Sequence, residues 1–293
     1  MAMNREKSGF TTVELLITIA IIAMLVGLLL PALSAVRKAA KEAKQKAQLT
    51  TIELAIVAFK NDYGDYPPSA WTPAPFTGDY CGGQKLAEAL VGWDLLGFHP
   101  KSAWRFDGYD GLTPNGPLTY DPDRKRGNAT FDERKGPYLE LATADAFRLG
   151  ISAPGQQDGL FDDPRPLAAN TYVICDVFGA KKITLAPGKT AIAGTPILYY
   201  KANTSGKSIT NIYEQSDNDA IVYIKEMEDR AKHPGHPIPL NPLAGAYTNF
   251  RDYIKDPKIT ARDWPYRPDS YILISAGADG LYGTEDDIRN FGY

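Results

Sequence analysis

Cysteine and histidine are scarce in this chain. Cys81 and Cys175 are its two cysteines, and His99, His233 and His236 its three histidines, in 293 residues. The cysteines lie too far apart in sequence for a zinc pattern. Whether they join in a disulfide or stay as two buried thiols is open at this level, because a bridge depends on a Cα distance. His233 and His236 are close, but Pro234 and Gly235 put them on a loop rather than on one helix face. A surplus of positive charge is also missing. Lys and Arg number 32 against 35 Asp and Glu, for a net charge of −3, which argues against a general nucleic-acid binder. Gly-x-Ser-x-Gly, His-Glu-x-x-His and phosphate-cradling Gly-rich Lys-Ser/Thr motifs are all absent. The carboxylates form no evident acid/base pair. These absences point away from an enzyme.

A long hydrophobic run is present instead. A short polar leader with Arg5 and Lys7 ends at Ser8-Gly9, and Phe10 follows. Residues 15–33 are apolar apart from Thr18, with Gly27 and Pro31 as the irregular positions. At 1.5 Å per residue this run reaches about 28 Å, close to the hydrocarbon thickness of a bilayer. One membrane-spanning helix is expected. A secretory signal peptide would have a shorter apolar stretch and a small-residue cleavage site, whereas this run continues into Ala- and Lys-rich sequence. Glu14 stands at the membrane edge of the run. A carboxylate is costly there, which makes it a candidate functional residue.

Gly9-Phe10-Thr11-Thr12-Val13-Glu14-Leu15-Leu16 resembles the class III signal of type IV pilins and of the pseudopilins of type II secretion. The resemblance implies cleavage by a prepilin peptidase between Gly9 and Phe10, on the cytoplasmic side. It also implies N-methylation of Phe10, and Pro31 sits where that family often has a helix-kinking proline. Glu14 becomes the fifth mature residue, paired in a filament with the Phe10 amine of a neighbouring subunit. A carboxylate buried among packed helices needs such a cation. Arg37, Lys38, Lys41, Lys44 and Lys46, opposed only by Glu42, would by themselves put the following segment in the cytoplasm. The motif takes precedence, because its leader must be cytoplasmic to be cut. The basic residues then read as a solvated helix face.

Residues 35–60 are rich in helix formers, and Leu49, Ile52, Ile56 and Phe59 recur at spacings of three and four. One helix is expected from about Thr11 to about Asn61, bent at Pro31. Tyr63-Gly64-Asp65-Tyr66-Pro67-Pro68 stops it. The passage from Ile52 to Pro67 is similar to the end of the long helix in the major pseudopilin. Beyond it, residues 67–136 are rich in Gly, Pro, Asp and aromatics, with a short helix expected over residues 85–96. Strand-like runs cover residues 171–178, 183–186, 196–202 and 271–275, and a further helical or irregular segment covers residues 220–232. Asp176-Val177-Phe178-Gly179 and Pro196-Ile197-Leu198-Tyr199-Tyr200 loosely resemble the two halves of a pseudopilin hairpin, with extra residues between them.

Residues 274–288, Ile-Ser-Ala-Gly-Ala-Asp-Gly-Leu-Tyr-Gly-Thr-Glu-Asp-Asp-Ile, lead from a strand into a glycine-rich turn with four carboxylates. Ca²⁺ prefers such hard oxygen ligands; a solvated acidic turn is the equally weighted alternative from local chemistry. The spacing is not that of an EF-hand. Ser-x-Gly-x-Asp-Gly followed by Gly-Thr-x-Asp-Asp-Ile is, however, similar to the calcium-binding loop of the major pseudopilin. That likeness implies a structural Ca²⁺ held by Asp279, Asp286 and Asp287, with the backbone of Ile274, Ser275 and Leu281 as further donors. The acidic stretches at residues 107–110, 121–123 and 158–163 read as turns.

The expected fold is α+β: a long N-terminal transmembrane and spine helix packed on a small C-terminal antiparallel β-sheet, with a loop-rich insertion. Its parts are a leader (residues 1–9), a transmembrane half-helix (10–33), an extramembrane half-helix (34–66) and a globular domain (67–293). The resemblance implies a pseudopilin-like structural subunit of a type II secretion pseudopilus or related type IV filament. A type IV pilin-like adhesin or surface-binding subunit is the alternative. Its partners would be copies of itself, other pilin-like subunits, the prepilin peptidase, the inner-membrane assembly platform and the membrane. The chain would cross the inner membrane once, with its C-terminal domain outside the cytoplasm, in a periplasmic or surface filament. The chain is longer than the major pseudopilins it resembles, which suits a specialised subunit.

Overall fold

The computed structural model describes residues 11–71, 79–108, 120, 132–179, 181–232 and 247–292; the side chains of residues 28, 31, 32, 142, 229–232 and 247–249 lie outside that description. The chain divides into two compact units, Met1–Ala43 and Lys44–Tyr293. Helix α1 runs unbroken over Thr12–Tyr63, through Pro31. Its bounds agree with the expected helix to within two residues. Thr11 caps its start, and Gly64, at φ 83°, ends it by donating its N–H to the Lys60 carbonyl at 2.7 Å.

In the first unit the described aliphatic side chains of α1 are bare. Val13, Leu16, Ile22, Met24 and Leu29 are each more than half exposed. Among the described residues no helix is long and apolar enough to cross a membrane. The apolar run of residues 15–33 includes Leu28, Pro31 and Ala32, whose side chains are among those not described.

The second unit is an α+β domain. Its elements in chain order are the carboxyl half of α1, α2 (Gly82–Val91), α3 (Leu141–Ala144), β1 (Ala146–Arg148), β2 (Tyr172–Ile174), β3 (Lys181–Ala186), β4 (Lys189–Ala193) and β5 (Leu198–Lys201). Then come α4 (Ile209–Ile212), a 3₁₀ turn (Gln215–Asp217), α5 (Asp219–Lys232), α6 (Tyr247–Ile254), β6 (Tyr271–Ser275) and β7 (Ile288–Arg289). The strands form three antiparallel sheets, ordered β1-β2, β3-β4 and β5-β6-β7. The expected short helix over residues 85–96 begins earlier and stops at Val91. Gly82 and Gly83 start it because a Cβ on Gly82 would meet the Tyr199 carbonyl at 2.4 Å. Gly92, at φ 93°, ends it.

The central sheet is buried on both faces, so every residue of β6 is buried. Period-two alternation divides its side chains. Ile197, Tyr199, Tyr271, Leu273 and Ile288 join Leu49, Ile52, Ala55, Ile56 and Phe59 of α1, together with the apolar face of α2. Leu198, Tyr200, Ile272 and Ile274 face the other way, onto Ile221, Val222, Phe250 and Ile254 of α5 and α6. Fully burying each large aliphatic side chain contributes about 1.5–3 kcal/mol, so the α1 face adds substantially to the hold on the sheet. Polar contacts set its register. Glu53 Oε1 accepts from Arg267 Nη1 at 2.6 Å and Asn290 Nδ2 at 2.9 Å. Gln45 Oε1 accepts the Val177 N–H at 2.8 Å, and Gln48 Nε2 donates to the Cys175 carbonyl at 2.9 Å. Cys175 and Cys81 are both free and buried; burial raises both thiols, Cys81 to about 12. The disulfide left open by the sequence is not formed.

Among the described aromatics of the middle segment, Phe98 and Tyr120 are buried and Trp104 is half-buried, whereas Trp71 is exposed. Phe98 lies 5.0 Å from Phe59 and 5.0 Å from Tyr63 at the end of α1, and Trp104 stacks on Phe98 at 4.9 Å. Beneath them Glu88 is enclosed by hydrogen bonds from Tyr80, Tyr120 and Ser102. Burial holds its carboxyl above the usual range despite those donors.

Candidate functional site

At the amino end of α1, Thr11 and Glu14 form a reciprocal cap. Glu14 Oε2 accepts the Thr11 N–H at 2.9 Å and the Thr11 hydroxyl at 2.8 Å, while Thr11 Oγ1 accepts the Glu14 N–H at 3.2 Å. This is a capping box, and it keeps the carboxylate at the helix start. Glu14 thus has a local structural role in a single chain. Gly9 and Phe10, the expected processing residues, lie outside the described residues.

The acidic turn joins β6 to β7 on the central sheet. Gly277, at φ 66°, opens it: a Cβ there would meet the Asp286 carbonyl at 2.3 Å. Asp286 Oδ2 accepts the N–H groups of Ala278 at 2.6 Å and Asp279 at 3.0 Å. Asp279 Oδ1 accepts the Leu281 N–H at 2.8 Å. Asp287 Oδ2 accepts the Gly283 N–H at 2.8 Å and the Tyr253 hydroxyl. The Thr284 hydroxyl faces three oxygens at once: Asp286 Oδ1 at 2.7 Å, the Leu281 carbonyl at 3.3 Å and Asp287 Oδ1 at 3.5 Å. One hydroxyl proton cannot serve all three at once, so oxygen acceptors outnumber the donor at this point of the turn.

The charges respond to this crowding. Burial, with the neighbouring Asp286 charge, raises the Asp279 carboxyl. Burial pushes on Asp286 too, but the Thr284 hydroxyl and the N–H groups of Asp279 and Ala278 outweigh it and hold that carboxyl low. Burial pushes Asp287 up to about 7. The turn thus brings Asp279, Asp286 and Asp287 together with the Leu281 carbonyl. Ile274 and Ser275 are strand residues of β6, and the Ser275 hydroxyl is directed to Asp176 Oδ2 at 3.2 Å. Among the described residues no group of three or more His, Cys, Asp or Glu side chains is arranged to hold a metal ion. The oxygen-rich chemistry suits a hard cation, while the carboxylates are already engaged as turn caps.

The chain matches no protein-family model, no curated protein and no solved structure. Function therefore rests on the residues themselves.

The residues just before the first segment likened to half a hairpin, Ile174 and Cys175, meet the second. The Ile197 N–H donates to the Ile174 carbonyl at 2.8 Å, and Cys175 bridges Pro196. The extra residues between them form the separate hairpin β3–β4. Asp176 closes its base, since Oδ1 accepts the N–H groups of Phe178 and Thr195, each at 3.1 Å. Burial pushes this carboxyl up to about 6. Beside the hairpin, a cleft of about 450 Å³ runs between Phe178, Lys181, Lys225 and Asp279.

Sequence reasoning missed Thr284, Tyr253 and Asp176. The Thr284-x-Asp286 spacing was a usable signal for the first; Tyr253 and Asp176 reach the site from distant segments. The remaining sequence candidates are structural. The buried His99 accepts the Lys101 N–H at 3.1 Å, and burial lowers its pKa. Asp107 pairs with Arg105 at 2.6 Å, and Asp163 with Arg165 at 2.6 Å. Asp158 accepts the Ser152 N–H at 2.9 Å. Asp110, Asp121, Asp123, His233 and His236 lie outside the described residues.

Proposed function

We propose that this chain is a pseudopilin-like, non-catalytic structural subunit that assembles through its amino-terminal helix into a type II secretion pseudopilus or a related filament. One observation carries the reading. A single helix, Thr12–Tyr63, buries the aliphatic face of its carboxyl half on a sheet and leaves the aliphatic residues of its amino half bare. So much exposed aliphatic surface requires a second environment. A bilayer before assembly and neighbouring helices after it both supply one. In this reading residues 1–9 are removed by a prepilin peptidase, Phe10 is methylated, and residues 10–33 anchor the chain in the inner membrane, with its C-terminal domain outside the cytoplasm. Glu14 exchanges its contact with Thr11 for the Phe10 amine of a neighbour. A Ca²⁺ at Asp279, Asp286, Asp287 and the Leu281 carbonyl would relieve the acceptor surplus around Thr284. Its role is to stiffen the turn.

An adhesin would recognise its surface through the aromatics of residues 67–136. Among the described aromatics there, Trp93, Phe98, Trp104 and Tyr120 are engaged within the fold and Trp71 is exposed; the engaged majority favours the structural reading. Two experiments test the proposal. Mass spectrometry of the membrane-extracted protein is expected to find an N-methylated Phe10 terminus that depends on a prepilin peptidase. Glu14→Ala is expected to be processed normally yet excluded from filaments. An unprocessed terminus, or full incorporation of Glu14→Ala, would overturn the reading.

A further inference from the structure

One face of the hairpin β3–β4, through Ile183, Ala191 and Ala193, packs on the core, and the Thr184 N–H donates to the Gln157 carbonyl at 2.6 Å; its other face and its tip are exposed. Its sequence, residues 181–193, contains Lys181, Lys182 and Lys189 and no acidic residue. Pro187-Gly188 turns the tip, with Gly188 at φ 77°. Leu185 is 60% exposed and Ile192 67% exposed. Lys181 is tied back to the Leu160 carbonyl. Lys182 and Lys189 are exposed and make no ion pair among the described residues. The hairpin is therefore a firmly based projection, basic and aliphatic at once.

Elsewhere on the same domain lies a cleft of about 500 Å³, bordered by Asp65, Tyr66, Ile212, Glu214 and Asp269. Its two lysines are already engaged. Lys201 pairs with Asp65 at 2.5 Å, and Lys60 lies over the Tyr66 ring at 3.9 Å. Glu214 and Asp269 are exposed and make no ion pair among the described residues. The cleft thus offers unpaired negative charge around a partly apolar floor. No residue of the hairpin lines it, so the two surfaces can meet only between molecules.

We infer that the β3–β4 hairpin of one copy docks into the Asp65–Tyr66–Glu214–Asp269 cleft of the next copy. Lys182 and Lys189 face Glu214 and Asp269, and Leu185 covers the apolar floor. Because the two patches differ, the contact is head-to-tail rather than a two-fold dimer, and where the rotation does not close into a ring its repetition builds the open array a filament needs. The inference deepens the filament reading and rests on it: it names a second contact, between globular domains, beside the packing of helices.

The test uses full-length chain in membranes, as two differently tagged copies carrying Lys189→Cys and Asp269→Cys. Cys81 and Cys175 are fully buried and stay silent. Mild oxidation is expected to give the mixed-tag disulfide product. Lys182→Glu with Lys189→Glu is expected to weaken self-association about tenfold or more. Glu214→Lys with Asp269→Lys should do the same, and a chain carrying all four changes should recover it at an unchanged melting temperature. Filaments that form without the mixed product would overturn the docking and leave the filament reading standing. The mixed product in a chain that never forms filaments would do the reverse. Loss without rescue, or lysine-dependent binding to phosphatidylglycerol vesicles in place of the mixed product, would also overturn the docking.

Discussion

The two halves of helix α1 differ in aliphatic content and in fate: the amino half is crowded with Leu, Ile and Val, and the carboxyl half has few. Leu49, Ile52, Ile56 and Phe59 are almost wholly buried against the central sheet, whereas Val13, Leu16, Ile22 and Leu29 are exposed. The halves also differ in pattern. In the carboxyl half Leu49, Ile52 and Ile56 form one stripe with Phe59, while Leu54 and Val57 lie exposed off it; Glu53, Gln45 and Gln48 add hydrogen bonds to the domain. In the amino half they surround the helix. A helix that is apolar all round needs a partner on every side, which one small sheet cannot provide.

Four substitutions or titrations would break or sharpen this comparison. The largest effect is expected from Ile56→Asp, which puts a lone carboxylate against Tyr199 and Leu273. A loss of about 4 kcal/mol or more in a chemical melt of the detergent-solubilised chain is expected; Ile22→Asp should leave that melt unchanged and weaken membrane retention instead. Equal effects from both substitutions would remove the distinction between the halves. Phe59→Ala is expected to cost about 3–5 kcal/mol, through lost burial and the cavity left among Tyr63, Phe98 and Tyr138.

The next effect is a pH dependence. Asp217, beside Ser69 in the buried domain, has its carboxyl pushed up to about 6, because burial and a smaller push from Glu214 outweigh the Ser69 hydrogen bond. The folded value lies above the ordinary 3.8, so the folded state binds the proton more tightly than the unfolded chain. Its stabilising contribution is full below pH 3.8 and is lost as pH rises through about 6. The loss is on the order of 3 kcal/mol. Asp217→Asn should flatten that part of the stability–pH curve, and an unchanged curve would show that the group does not titrate there. The smallest effect is expected from Leu54→Ser. Leu54 is 67% exposed on the face of α1 turned away from the sheet, so the melt should move by less than about 0.5 kcal/mol. A larger loss would mean that this face is covered.

A calcium titration sharpens a second contrast, between the acidic turn and the rest of the sheet. EGTA should lower the melting temperature of the wild-type chain and leave Asp286→Ala unmoved. Calorimetry showing no Ca²⁺ uptake by the wild-type chain would remove the metal from the proposal.

Much of this architecture was legible in the residues. The 3.6-residue period of Leu49, Ile52, Ile56 and Phe59, and the Gly64–Pro68 stop, located α1. The aliphatic and aromatic runs located β2, β5 and β6. Strands β1 and β4 and helix α6 were not legible, because each is short, and the partner of β1 is distant in sequence. The acidic turn was legible as a cluster, since glycines and carboxylates alternate within one short segment. The Thr284 hub and the Tyr253 contact with Asp287 were not, because hydroxyl geometry and a neighbouring helix decide them.

The sequence by itself determined the α+β class, the long helix and the grouping of Asp279, Asp286 and Asp287. Local propensity and short-range spacing are enough for these. Only the tertiary structure decided that Cys81 and Cys175 stay apart and that Phe98 and Tyr120 are buried within the domain. It alone showed that the residues between Asp176 and Thr195 form a projecting hairpin while their flanks still meet. Those outcomes depend on which distant segments share a core, and burial of apolar area across the whole domain sets that choice.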